Sequence, residues 1–186
     1  MKVTKTPLDG VVVLEPTVRA DDRGFFVETF RANVYADLGI PELVQHNQSR
    51  SGRGVLRGIH YQLVQPQGKL VRVARGRVFD VAVDIRTGSP TFGQWYGCVL
   101  DDRDHRQLYI PPDFGHAFAV LSDVADFTYL CTDYYHAASE GAVAWDDPAI
   151  GIEWPSIEGD WLLSEKDRAA LPLADLHPSR LPVFTR

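Results

Sequence analysis

Two histidines, His60 and His116, have the surroundings in this chain that most plainly invite chemistry. His60 lies in Val55-Leu56-Arg57-Gly58-Ile59-His60-Tyr61-Gln62, and His116 follows Pro111-Pro112-Asp113-Phe114-Gly115. An imidazole can hold a metal or move a proton, and its neighbours decide which. A hard or borderline metal wants three or more His or carboxylate ligands. Position 62 is a glutamine, and no carboxylate appears between His60 and residue 80. The expectation is therefore no metal, and each histidine is weighed between proton transfer and a buried, hydrogen-bonded structural role.

Charge around His60 is one-sided. From Leu43 to Phe79 there is no Asp or Glu, yet this stretch holds Arg50, Arg53, Arg57, Lys69, Arg72, Arg75 and Arg77. The whole chain leans the other way, with 25 acidic against 19 basic residues and a net charge of −6. That balance argues against a generic nucleic-acid binder. A local positive zone in an acidic protein points to one small anionic ligand, the plain alternative being solvated strand faces. No apolar stretch suits a signal-peptide core or a bilayer span, so a soluble cytoplasmic protein without membrane contacts is expected. Cys98 and Cys131 are too few for a disulfide scaffold or a thiolate cluster, and the default for each is a small buried residue.

The elements that must position these residues read mostly as strands. Phe79, Val81, Val83 and Ile85 alternate with Asp80, Ala82 and Asp84, the period of a strand with unlike faces. Gly10 to Glu15, Gly24 to Phe30, Gln94 to Leu100, Arg106 to Ile110, Gly115 to Leu121 and Asp126 to Thr132 continue the series. Turn clusters such as Asp21-Asp22-Arg23-Gly24 and Thr87-Gly88-Ser89-Pro90 separate them. Helix is expected only at Arg31 to Leu38 and at Ser164 to Leu171, which opens on a capping-box pattern. Among 186 residues there is no linker, repeat or Gly-rich phosphate loop. The fold class expected is all-β, a jelly-roll sandwich with a few short helices. It forms one domain: N-terminal strands over 1–45, a core over 46–150 and a tail over 151–186.

The settings of His60 and His116 resemble the histidine motifs of the cupin superfamily, with Gln62 where many cupins place a second metal histidine. A narrower resemblance covers nearly the whole chain. Arg57 to Gln62, Gly68 to Val73, Gly76 to Arg86, Phe114 to Phe118, Tyr129 to Tyr135, Trp145 to Pro148, Gly151 to Pro155 and Leu163 to Asp167 are similar, in order, to the dTDP-4-dehydrorhamnose 3,5-epimerases. That resemblance implies epimerisation of dTDP-4-dehydro-6-deoxy-D-glucose at C3 and C5 without a cofactor. Those carbons flank a ketone, so the chemistry needs a base on one face, an acid on the other and a group to hold the enolate oxygen.

By the same resemblance His60 is the base, Tyr129 the acid, Lys69 the oxyanion support and Asp167 the residue that orients the imidazole. Read alone, Tyr129 also fits a core aromatic, Lys69 a hairpin-edge lysine and Asp167 the capping position of the last helix. The substrate contacts implied are Arg23, Glu28, Gln45, His46, Asn47, Arg57, His116, Tyr135, Glu140 and Lys166, with Tyr135 stacking on the thymine. The family also implies a homodimer in which an N-terminal strand crosses to the partner, bringing Arg23 and Glu28 to its site. Three readings compete with this one: a C3-only or C5-only epimerase, a metal-dependent cupin, and a non-catalytic sugar-nucleotide binder.

Overall fold

The period-two pattern around Asp80 sends its two faces into two different cores. In the computed structural model, which describes residues 1–185, Val78 and Ala82 join one apolar cluster while Val81 and Val83 join another. Asp80 and Asp84, on the polar side of the alternation, are also wholly buried. A strand buried on both faces must lie in the middle layer of the molecule.

The strands are β1 (Lys2–Lys5), β2 (Val12–Glu15), β3 (Val18–Asp21), β4 (Gly24–Val27), β5 (Gln45–Gly52), β6 (Leu56–Gln62) and β7 (Lys69–Arg75). They continue with β8 (Arg77–Asp84), β9 (Trp95–Asp101), β10 (Gln107–Ile110), β11 (Phe114–Val120), β12 (Val124–Cys131) and β13 (Glu140–Ala142). The α-helices are α1 (Ala32–Asp37) and α2 (Glu165–Arg168). One sheet runs β1-β2-β10-β7-β12-β5, a second β13-β6-β11-β8-β9, and β3 with β4 form a separate hairpin. Neighbours in each sheet are antiparallel but rarely consecutive in sequence, which is the jelly-roll arrangement expected.

Between the sheets Val71, Val73 and Phe127 meet Val78, Ala82, Phe114, Phe118 and Val120. The Phe118 and Phe127 rings stack there at 4.1 Å. The outer face of the five-stranded sheet carries Ile59, Tyr61, Val81, Val83 and Ile85, covered by Ile150 and by Leu173 and Leu181 of the tail. Each such buried aliphatic side chain contributes about 1.5–3 kcal/mol, enough to hold the tail against the sheet. Tyr61 adds an O–H donated to the Arg180 carbonyl at 2.6 Å. On the outer face of the six-stranded sheet, Leu14, Leu70 and Tyr109 are covered by Tyr35 of α1 and by Ile40.

The last helix is shorter than its sequence pattern. It stops at Arg168, and Leu171 instead pairs with Val143 as an isolated bridge. Pro172 follows and pushes Leu171 into extended backbone, which the helix cannot absorb. Its start agrees with expectation: Ser164 Oγ accepts the Asp167 N–H at 3.1 Å.

Candidate active site

Alternation along three strands aims their polar side chains into one end of the gap between the sheets. His60 comes from β6 in the five-stranded sheet; Lys69 and Tyr129 come from β7 and β12 in the six-stranded sheet. With Gln62, Tyr135 and Glu140 they line a cavity of about 100 Å³. The candidate base thus stands on one wall, and the candidate acid and cation stand on the other.

Asp167 supports the first of these. His60 Nε2 lies 2.5 Å from Asp167 Oδ1, and the carboxylate is only 3% exposed. An ionised carboxylate only accepts, so Nε2 carries the proton and Nδ1 is left as the basic nitrogen. Burial acts to raise the Asp167 carboxyl. The hydrogen bond and charge of His60, the Ser164 hydroxyl and the Gly58 N–H outweigh it and hold the group below the usual carboxylate range. The capping question resolves into a division of labour: the backbone N–H of Asp167 completes the cap, and its side chain goes to His60.

The facing wall is tuned the opposite way. Burial pushes the Tyr129 hydroxyl above its ordinary value, with Cys131 and Glu140 adding to the shift and Arg57 and Asn47 opposing it. A phenol so placed keeps its proton. Burial pushes the Lys69 ammonium down, against Cys131, Asp80 and Glu140, which hold its proton on.

A second cluster opens beside the first. Gln45 Oε1 accepts the Tyr135 N–H at 2.9 Å, and the Tyr135 hydroxyl donates to Glu140 Oε2 at 2.9 Å. Lys166 Nζ reaches the same oxygen at 2.6 Å. The Tyr135 ring is more than half exposed, a flat surface open to a ligand. Arg57 and His60 share a further pocket of about 330 Å³ with Leu162, Ser164 and Asp167, and Arg57 spares only two contacts for Ser51 Oγ. Together these provide an acid–base pair at one end and an aromatic, an arginine and a paired carboxylate at the other.

The sequence profile of the dTDP-4-dehydrorhamnose 3,5-epimerases matches residues 5–175. This chain belongs to that family. It is 49% identical over 173 residues to the dTDP-4-dehydrorhamnose 3,5-epimerase of Methanothermobacter thermautotrophicus, covering 92% of this chain and 94% of the relative. A crystal structure of a dTDP-6-deoxy-D-glucose-3,5-epimerase from Legionella pneumophila, in complex with dTDP-4-keto-L-rhamnose, superimposes with a TM-score of 0.96. The identity there is 50%, over 100% of this chain and 99% of that one. A dTDP-4-dehydrorhamnose 3-epimerase of Streptomyces niveus is 42% identical over 184 residues, 97% of this chain and 88% of the relative.

Several residues that the epimerase resemblance nominates stand apart from the cavity within one chain. Arg23 sits on the β3–β4 turn, almost fully exposed and paired with Asp21 at 2.5 Å. Glu28 pairs with Arg31 at 2.5 Å and lines a different pocket with Pro16 and Phe26. The segment Gln45-His46-Asn47 is split by the strand period: Gln45 and Asn47 face Tyr135, Cys131 and Tyr129, whereas His46 faces the outer pocket with Arg72 and Thr128. His116 is buried on β11, directly across from His60, with its Nε2 3.0 Å from Asp80 Oδ2.

The basic stretch also divides. Arg50 pairs with Asp126 at 2.6 Å and Arg53 with Asp123 at 2.9 Å, while Arg57 and Lys69 line the two cavities at His60 and Arg72 lines the outer pocket. Gln62 is committed to the backbone, donating to the Gln65 and Tyr134 carbonyls and accepting the His136 N–H. It thereby fixes the loop that carries Tyr135. Among the described residues no three His, Cys, Asp or Glu side chains converge as a metal cluster. Cys98 is held inert, its thiol pushed up to about 12 by burial with Asp80 nearby. Sequence reasoning passed over Asp80, although it is the first acid after the acid-free run.

Proposed function

We propose that this chain epimerises dTDP-4-dehydro-6-deoxy-D-glucose at C3 and C5, giving dTDP-4-dehydro-L-rhamnose for deoxysugar synthesis, with no cofactor. The observation that carries the reading is the opposed pair: His60, oriented by Asp167, on one sheet and Tyr129 with Lys69 on the other. His60 Nδ1 takes the proton from the carbon beside the ketone, and the electron pair moves into an enolate. The Lys69 ammonium faces the oxygen that gains charge. Tyr129 returns a proton to the opposite face of the same carbon, and solvent restores both residues. The half-buried cavity strengthens each of these interactions over their value in water.

The nucleotide is assigned to the adjoining cluster. Tyr135 stacks on the thymine, with Gln45, Asn47, Glu140 and Lys166 around it, and Arg57 takes phosphate by its planar fork. Arg23 and Glu28 are assigned to the partner's site in a homodimer, since within one chain they line pockets other than the one at His60. His116 is buried beside His60 across the β6–β11 pairing.

Incubation with dTDP-4-keto-6-deoxyglucose in deuterated water, followed by NMR at each carbon, tests the assignment. Deuterium entering at both C3 and C5 is expected. Entry at one carbon alone gives the narrower reading favoured by the 3-epimerase relative. Exchange no faster than the enzyme-free control at either carbon overturns the proposal.

A further inference from the structure

We propose that Asp80 is a positioning residue of this site, fixing the imidazole of His116 and supplying the counter-charge to the Lys69 ammonium. The inference rests on the proposed reaction for its catalytic consequence, but its geometry is independent of it.

Asp80 has no exposed surface, and a buried carboxylate is costly unless it is paired and hydrogen-bonded. Its Oδ2 meets His116 Nε2 at 3.0 Å, while Oδ1 is buried without a hydrogen-bond partner. Asp84, on the same face of β8 and equally buried, shows what a structural carboxylate does in this fold. It accepts from the Arg86 N–H and guanidinium and from the Ser89 and Thr91 hydroxyls, and so ties a turn together. Asp80 ties no turn or loop. Its one partner is His116, which stands next to His60 across the β6–β11 pairing.

The surrounding charges agree with the role. Lys69 is faced by Asp80 from β8, Glu140 from β13 and Cys131 from β12. His116 is faced by Asp80, by Lys69 and by His60. Burial drives the His116 imidazole towards its neutral form, with Lys69 and His60 acting the same way and Asp80 opposing. Neutral His116 therefore donates its Nε2–H as a hydrogen bond to Asp80 Oδ2, and the carboxylate remains to act on Lys69. Removing that charge disfavours the ammonium, so Lys69 loses its proton at lower pH.

Asp80→Asn keeps the shape and removes the charge. With carbon-13 labelled lysine, the Lys69 titration followed by NMR moves to lower pH in the variant, and the alkaline limb of kcat/KM moves with it. The rate itself falls roughly ten- to a hundredfold, the range met when a hydrogen-bonded support behind a functional imidazole is lost. A Lys69 titration identical in the two proteins overturns the proposal, whatever the loss of rate, because a purely structural defect does not move it. If the variant does not fold, nitrogen-15 spectra of wild-type His116 decide. The Nε2–H tautomer is expected, and the Nδ1–H tautomer overturns the assignment. Absence of deuterium exchange in the wild type would instead defeat the reaction assigned above, leaving the Lys69 titration and the His116 tautomer to judge Asp80.

Discussion

Asp167 illustrates how one residue serves two levels of structure without compromise. Its N–H closes the α2 cap on Ser164 and its carboxylate holds His60 at 2.5 Å. Asp167→Asn keeps the N–H and hence the cap, so the melting temperature should stay within about 2 °C of wild type, as for a change well under 1 kcal/mol. An amide can present N–H instead of oxygen to Nε2, which favours the wrong tautomer, and kcat should fall by about 100-fold or more. Calorimetry and steady-state rates check the two halves; equal loss of both would make Asp167 a structural residue. That His60, Lys69, Tyr129 and Asp167 come together was legible in the sequence because several motifs occur in the right order. Asp80 was not legible, since a carboxylate in a period-two strand looks the same whether its face meets solvent or a core.

At the scale of elements, the clearest loss of legibility is β5. Its residues, Gln45 to Gly52, contain no apolar side chain larger than glycine's hydrogen, so no hydrophobic alternation announces a strand. The strand exists because it pairs along its full length with β12 and because the face turned inward lines a polar site. Function had replaced the apolar signal that secondary-structure reasoning depends on. The β3–β4 hairpin shows the converse: its turn was plain from Asp21-Asp22-Arg23-Gly24, yet its phenylalanines are largely uncovered in one chain, with only the Phe25 ring resting against His105 at 4.4 Å. Phe25 is 58% exposed and Phe26 69% exposed. If a second copy covers them, Phe26→Glu should convert a dimer to a monomer in light scattering. It should also weaken dTDP binding by roughly tenfold, about the worth of one charge-assisted contact. A variant that remains dimeric with unchanged affinity would remove the hairpin from the site.

For the whole molecule, the charge pattern gains a sharper meaning. The acid-free run does not form one positive patch, because strand alternation distributes it over two faces and acids from β12 and its turn neutralise part of it. What it leaves is a lysine desolvated between two sheets, and that sets a pH dependence. Burial moves the Lys69 ammonium below the ordinary lysine value and the Tyr129 hydroxyl above the ordinary tyrosine value. The alkaline limb of kcat/KM is expected to report Lys69 and to lie below the ordinary lysine range. Lys69→Arg carries a charge that does not titrate in this range, and should shift that limb upward even at a reduced rate. Profiles that coincide after scaling would assign the limb to another group.

The placement of His60 and Tyr129 on opposite sheets has a last consequence. The backbones from which these two proposed proton carriers project are about 10 Å apart, as stacked sheets are, and the Phe118–Phe127 stack fills the core between the same sheets. A ring that never meets the sugar thus acts as a gauge block. On the proposed mechanism it helps set how far a planar intermediate sits from each wall, and with that how often a carbon leaves inverted rather than as it came. On that mechanism, stereochemical fidelity becomes a property of core volume as much as of the residues proposed to carry the protons.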